Sequence, residues 1–210
     1  IGADTITTSP TIFNPTKFYV AVLKETLEGN GIKVSGNACD CDEINDFDSL
    51  ALVTTDLLEY KSPPNSEILK KLMKKSQNLY AETMTRVLGW KFKGEGTFRK
   101  GRNIVFETLN DFAIDTTMIR YMDGSGLSRY NYISPDQIVK ILEGMRKSEH
   151  WELWYDIMPV AGIDGTLKYR MRGSAAEGNV HAKTGTISNV RALSGYVTTA
   201  SGEELVFSFL

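Results

Sequence analysis

Three β-type segments close the chain, and their spacing is the tightest constraint on what it can fold into. Residues 180–187, 192–198 and 204–210 read as strands, the last two joined by the turn sequence Thr199-Ala200-Ser201-Gly202. Strands in this arrangement form an antiparallel meander. Ahead of them lies a block of helical periodicity, and ahead of that an N-terminal helix followed by short strand candidates. The order helix, strands, helices, meander specifies an α/β protein with a mainly antiparallel sheet flanked by helices and a helical subdomain. It argues against a doubly wound parallel sheet.

Residues 14–29 open with Asn-Pro and end at Gly, with Phe18, Val22, Leu23 and Leu27 at helical spacing. Residues 32–34 are a short strand candidate, 36–48 a polar loop, and 50–60 one or two strands stopped by Pro63-Pro64. The amphipathic stretch 66–88 carries one apolar face at Ile68, Leu69, Leu72 and Met73, and another at Leu79, Met84, Val87 and Leu88. Between them stand Lys74-Lys75-Ser76-Gln77-Asn78. A continuous core-facing helix needs an apolar residue near position 76, so the pattern predicts two helices with a break, or a polar face turned into a cleft. Residues 98–112 form a further helix with Phe98, Val105, Leu109 and Phe112 on one face, and 118–121 a strand entering the turn Asp123-Gly124-Ser125-Gly126. The clearest helix start is Ser134-Pro135-Asp136-Gln137, an N-cap, a proline at the first helical position and a capping-box glutamine.

Composition excludes several classes of function. The 210 residues are 41% hydrophobic, enough for a full core, and the net charge of −2 offers no basic field to nucleic acid. No apolar run approaches the roughly 18 residues of a membrane span, and no basic-then-apolar opening reads as a signal peptide. Cys39 and Cys41 are too close for an unstrained disulfide. With two histidines in the whole sequence, His150 and His181, no zinc-ligand pattern forms. No metal or organic cofactor is expected, and the cysteines are read as free thiols in a polar loop.

Chemistry concentrates at two places. On the first meander strand, alternation puts Val180, Ala182 and Thr184 on one face and His181, Lys183 and Gly185 on the other. Lys183-Thr184-Gly185-Thr186 then combines a cation, two hydroxyls and a glycine that admits close approach, a set suited to gripping a small anion. Ser76-Gln77-Asn78 is the second place. Its bland reading is a helix cap for residues from Leu79 onward. A Ser-x-Asn element in a helical block and a Lys-Thr-Gly strand about a hundred residues later are two of the three elements used by penicillin-binding proteins and β-lactamases.

The sequence resembles the class C low-molecular-mass penicillin-binding proteins, the D-alanyl-D-alanine carboxypeptidase/endopeptidases of peptidoglycan. The resemblance is carried by residues 66–82 around Ser76-Gln77-Asn78, by Asp123-Gly124-Ser125-Gly126-Leu127-Ser128-Arg129 with Asn131, by Pro159-Val160-Ala161-Gly162 with Asp164-Gly165-Thr166-Leu167, and by Ala182-Lys183-Thr184-Gly185-Thr186. These run in the family's order over nearly the whole chain. It implies a β-lactamase/transpeptidase-like fold, with residues 1–210 a partial penicillin-binding domain. The helical subdomain would span about 66–160, and the sheet portion about 1–60 and 165–210. It also implies a seryl acyl-enzyme that cleaves peptidoglycan stem peptides ending in D-Ala-D-Ala and is acylated by β-lactam antibiotics. Ser76 would relay a proton to the departing D-alanine, Asn78 would orient the acyl group, and Lys183 would stabilise carboxylate and transition-state charge. Thr184 and Thr186 would bind the terminal carboxylate beside Gly185, and the Thr186 N–H would be one oxyanion donor. A periplasmic or envelope location follows from the substrate.

The sequence departs from the family in one respect. No serine is followed three residues later by lysine. The resemblance therefore implies that the Ser-x-x-Lys segment lies upstream of Ile1 and a closing helix beyond Leu210, so that this chain alone is inactive. A non-catalytic relative that binds peptidoglycan peptides or a partner stays open. So does an active complex in which the missing segment belongs to another chain. A β-lactamase fits the motifs but not Asp123-Gly124-Ser125-Gly126-Leu127-Ser128.

Other features have plainer readings. Asp123-Gly124-Ser125-Gly126 has the wrong spacing for a nucleophile elbow and reads as a turn near the cleft. His181 reads as a half-exposed strand position rather than a cleft residue, Arg170 and Arg172 as surface ion pairs rather than contacts for a substrate's acidic group, and Trp151, Trp154 and Tyr155 as packing rather than a binding cage. The isolated 210-residue chain is expected to expose apolar surface meant for its missing segments and to be poorly stable or associated. A sharp monomeric sedimentation profile with cooperative unfolding would contradict that.

Overall fold

The computed structural model describes residues 11–45 and 58–210. It divides into two compact units, Ile1–Lys61 and Ser62–Leu210. In the first, helix α1 (Pro15–Gly29) starts as its sequence predicts: the Asn14 side chain accepts the Lys17 N–H, and Pro15 takes the first turn. Asn14 also donates to Asp40 at 3.1 Å, and Lys17 pairs with Glu43 at 2.7 Å, tying the helix to a 3₁₀ turn at Cys41–Glu43. Residues 32–34, expected as a strand, have no ladder partner among the described residues. The strands expected over 50–60 fall mostly outside the described residues, and 58–60 carry no regular structure. Cys39 and Cys41 are exposed free thiols.

The second unit holds five helices: α2 (Asn65–Lys75), α3 (Asn78–Lys93), α4 (Phe98–Asp111), α5 (Pro135–Arg146) and α6 (Trp151–Ile157). Strands β1 (His181–Ile187), β2 (Val190–Thr198) and β3 (Glu204–Phe209) follow in the order β1-β2-β3, both pairs antiparallel. The meander, the helical break and the capping box are all present as read from sequence. Ser134 accepts the Gln137 N–H while the Gln137 side chain accepts the Ser134 N–H. Residues 118–121 do not form the expected strand. They contribute a single bridge, Arg120 to Tyr132, because the segment has one antiparallel neighbour for one residue only. No helix among the described residues is long and apolar enough to cross a membrane.

Three apolar clusters hold this unit. One face of the sheet buries Val180 and Ala182 against Ala161 and Leu167, with Leu193, Val197 and Phe207 beside them. The other face meets α5 and α6, where Leu142, Met158 and Tyr196 are buried among Met73, Ile138, Trp151 and Trp154. The third cluster, Leu109, Ile114 and Ile119, closes the end of α4. Tyr196 is fully buried, its ring edge-on to Trp151 at 4.8 Å. Its hydroxyl donates to the Leu142 carbonyl at 2.7 Å and accepts from Trp154 Nε1 at 3.0 Å. Burial pushes its pKa up to about 12. Tyr196→Phe leaves the Trp154 indole N–H without its partner and removes the bond to the Leu142 carbonyl, and is expected to lower unfolding stability by about 1–3 kcal/mol. A denaturant midpoint equal to that of the parent would show that neither bond matters.

Candidate functional site

The break between α2 and α3 falls at Ser76. It adopts φ 55 and ψ 55, the left-handed region, and its N–H bonds back to the Leu72 carbonyl to end α2. A residue with a Cβ in this region costs roughly 1–2 kcal/mol. Neither Ser76 nor Asn78 caps the next helix: Gln77 is the N-cap residue and makes no side-chain capping bond, and Asn78 is the first residue of α3. The helix-cap reading therefore fails, and the Ser76 hydroxyl has another partner.

That partner is Lys183, 107 residues away in sequence. Its ammonium donates to Ser76 Oγ at 2.7 Å and to the Thr184 carbonyl at 2.6 Å. Strand alternation works as the sequence predicts. Ala182 turns into the core against Leu167, Lys183 points the opposite way to α2, and Thr184 returns to donate to Thr166 Oγ1 at 2.8 Å. No ion pair involving Lys183 occurs among the described residues, and burial alone pulls its pKa below the ordinary lysine value of 10.5.

A cavity of about 550 Å³ opens in front of these groups, and Ser76, Asn78, Lys183, Thr184, Gly185 and Thr186 all line it. Its far wall is the turn Gly124, Ser125, Gly126 and Leu127. Gly124 makes that wall possible, because a Cβ there would lie 2.6 Å from the Ala81 carbonyl oxygen on α3. Asp123 shapes the turn by accepting the N–H groups of Gly126 and Ser128, each at 2.6 Å, and Glu82 accepts that of Ser125. The lining contains two cations, Lys183 and Arg170, and no acidic side chain. Such a site favours an anionic, peptide-like ligand: fixed positive charge, hydroxyl donors, an amide, and an exposed strand edge of backbone groups. A larger groove of about 720 Å³ beside it is lined mainly by apolar residues of α2 and α3, such as Ile68, Met84 and Val87. Its polar lining residues, such as Asn65, Lys71 and Thr83, include no member of the Ser-x-Asn or Lys-Thr-Gly elements, so the smaller cavity is the chemical one.

Thr166 and Arg170 also line the cavity. Thr166 lay inside a motif but received no role. Arg170, expected as a surface ion pair ahead of a contact for a substrate's acidic group, forms no ion pair among the described residues and lines the cavity. Arg172 also makes no ion pair there, donating to the Lys168 carbonyl and stacking on Tyr169. The available signal was the local shortage of acids, since Asp164 is taken by Lys74 and Glu177 accepts the Gly173 N–H. His181 lies outside the cavity, stacked on Tyr155 at 3.9 Å, and burial lowers its pKa.

The model of the D-Ala-D-Ala carboxypeptidase 3 (S13) family matches residues 2–210. The chain is 39% identical over 211 residues to a D-alanyl-D-alanine carboxypeptidase of Actinomadura sp. (strain R39), covering 98% of this chain and 38% of that one. It is 34% identical over 154 residues to the D-alanyl-D-alanine carboxypeptidase DacB of Haemophilus influenzae, covering 72% and 32%. The crystal structure of penicillin binding protein 4 (dacB) from Haemophilus influenzae superposes with a TM-score of 0.83 at 29% identity, covering 93% of this chain and 42% of that one. The chain thus spans about two fifths or less of the length of these relatives.

Because the ammonium of Lys183 is desolvated, the unfolded chain binds its proton more tightly than the folded one. Between its lowered pKa and 10.5 its contribution to stability therefore rises with pH, and below that lowered pKa the penalty is full. Lys183→Met should raise the melting temperature at pH 7. NMR titration of the Lys183 Cε resonance should give a pKa under 10.5, and a value at or above that contradicts the burial argument.

Proposed function

The chain belongs to the D-Ala-D-Ala carboxypeptidase 3 (S13) family, and we propose that it is the part of a serine D-alanyl-D-alanine carboxypeptidase/endopeptidase that binds the stem peptide and moves the leaving-group proton. The contact between Lys183 and Ser76 across a cavity free of acids carries this reading. The nucleophilic serine comes from a part of the protein outside these 210 residues, since none of their serines has a lysine three residues on. The relatives, being longer, have room for it.

In this mechanism the substrate backbone lies along β1 with its terminal carboxylate against Thr184 and Thr186. Gly185 lets the peptide approach the strand, and Asn78 holds the acyl-side amide. The nucleophile attacks the carbonyl between the two D-alanines, and the Thr186 N–H, with a second donor at the nucleophile, stabilises the oxyanion. Collapse breaks the C–N bond. The proton that the nucleophile's hydroxyl gives up passes through the Ser76 hydroxyl, which the Lys183 ammonium polarises, to the departing amine. Water then hydrolyses the ester and restores the serine. A β-lactam enters the same site as an acylating substrate, and the peptidoglycan substrate places the protein in the periplasm or envelope. The helical part at about 66–160 and the 165–210 portion of the sheet line the cleft; in the other expected sheet portion, about 1–60, no strand occurs among the described residues.

A second reading rests on the same absence of Ser-x-x-Lys: the residues present suffice to bind a stem peptide without cutting it. Intact mass separates the two. Protein expressed from the complete gene is expected to gain one benzylpenicillin per molecule, and the 210-residue chain of 23.4 kDa none. An unmodified full-length protein would favour binding without catalysis. An adduct on the short chain would overturn the placement of the nucleophile.

A further inference from the structure

Lys74 is the most buried charged side chain in any ion pair among the described residues, 13% exposed, and it lies two residues before Ser76. Its ammonium donates to both oxygens of Asp164, at 3.0 and 2.7 Å, and to the Met158 carbonyl at 2.5 Å. All three of its protons are thereby used. Asp164 in turn lies two residues before Thr166, the hydroxyl that meets Thr184. We propose that the Lys74–Asp164 pair is a positioning strut that fixes the Ser76 wall of the cavity relative to the Thr166 wall.

The argument is one of closure. Ser76 meets Lys183, Lys183 is followed by Thr184, Thr184 meets Thr166, and Thr166 follows Asp164, which returns to Lys74 and so to Ser76. Every link but the covalent ones is a short polar contact, and the strut is the one that ties α2 to the loop over 160–165. That loop is itself held: Asp164 Oδ1 accepts the Val160 N–H at 2.9 Å, and the Gly162 N–H donates to the Leu167 carbonyl at 3.0 Å. Gly165, at φ 56, lets the Lys74 carbonyl close on the loop, since a Cβ there would stand 2.8 Å from that oxygen. Stability alone does not call for such a pair, because Asp164 keeps 42% of its side chain exposed and ion pairs that reach water contribute little. A fixed distance between two walls does call for it. With its charge neutralised by Asp164, Lys74 also leaves the positive field of the cavity to Lys183 and Arg170.

The activity readout rests on the proposed function, and the structural readout does not. In the full-length protein, Lys74→Met and Asp164→Asn should each lower kcat/KM toward a D-Ala-D-Ala peptide by about 10–100-fold, the effect of misplacing reacting groups by about 1 Å. The double variant should be no slower than either single one, and Lys74→Arg should recover most of the loss. A crystal structure of Lys74→Met should show Ser76 Oγ out of hydrogen-bond reach of Lys183 Nζ. Should Lys74→Met fail to fold, Asp164→Asn carries the same comparison, because its amide oxygen still accepts from Val160. Parent-like rates, or a Ser76–Lys183 contact still near 2.7 Å, would overturn the strut. If the parent neither turns over peptide nor takes up penicillin, the proposed activity fails while the crystallographic readout still decides the strut.

Discussion

A lysine ammonium drawn out of water without a carboxylate to neutralise it is the constraint on which the site depends. Lys183 donates to one hydroxyl and one carbonyl and keeps a third proton for something else. Desolvating such a group costs free energy that no ion pair among the described residues returns. Such an arrangement suits a negative group arriving from outside, as in the proposed function. The acid-free lining fits the same account, as an Asp or Glu there would pair with Lys183 and fill the position the ligand needs.

Holding that charge in place takes more than one anchor. The sheet face behind β1 is packed by Ala161, Leu167, Val180 and Ala182, so strand alternation delivers Lys183 to the opposite side with little freedom. Ser76 is kept in a left-handed conformation that a serine does not favour, and α2 and α3 on either side supply the restraint. Backbone strain of this kind persists where surrounding structure overdetermines it. The Gly124 turn lies against α3 at a distance that only a missing Cβ allows, which brings a third wall to the same opening.

Much of this was readable in one dimension because local rules and the fold agree. The five polar residues at 74–78 predict a break, and the break is there; Ser134-Pro135-Asp136-Gln137 predicts a capped helix, and both capping bonds form. The meander follows from strand length and turn chemistry. The failures share a cause as well. Residues 118–121 have strand-like composition, yet an isolated bridge is all their neighbour provides, and pairing is decided by partners rather than propensity. Arg170 carries the same charge as Arg172 two positions on, but one faces the cavity and the other stacks on Tyr169. Nothing in the local sequence separates them.

The sequence by itself determined which residue types were present, in what order, and on which strand face each would lie, because side-chain alternation and helix capping act over a few residues. It also supplied the motifs that place the chain in its family. Only the tertiary structure decided that Lys183 meets Ser76 rather than solvent, that Thr166 completes the Thr184 wall, and that Lys74 is spent on Asp164. Those pairs are 107, 18 and 90 residues apart. Contacts over such separations are set by how the helices and the sheet pack, and packing depends on the whole core at once.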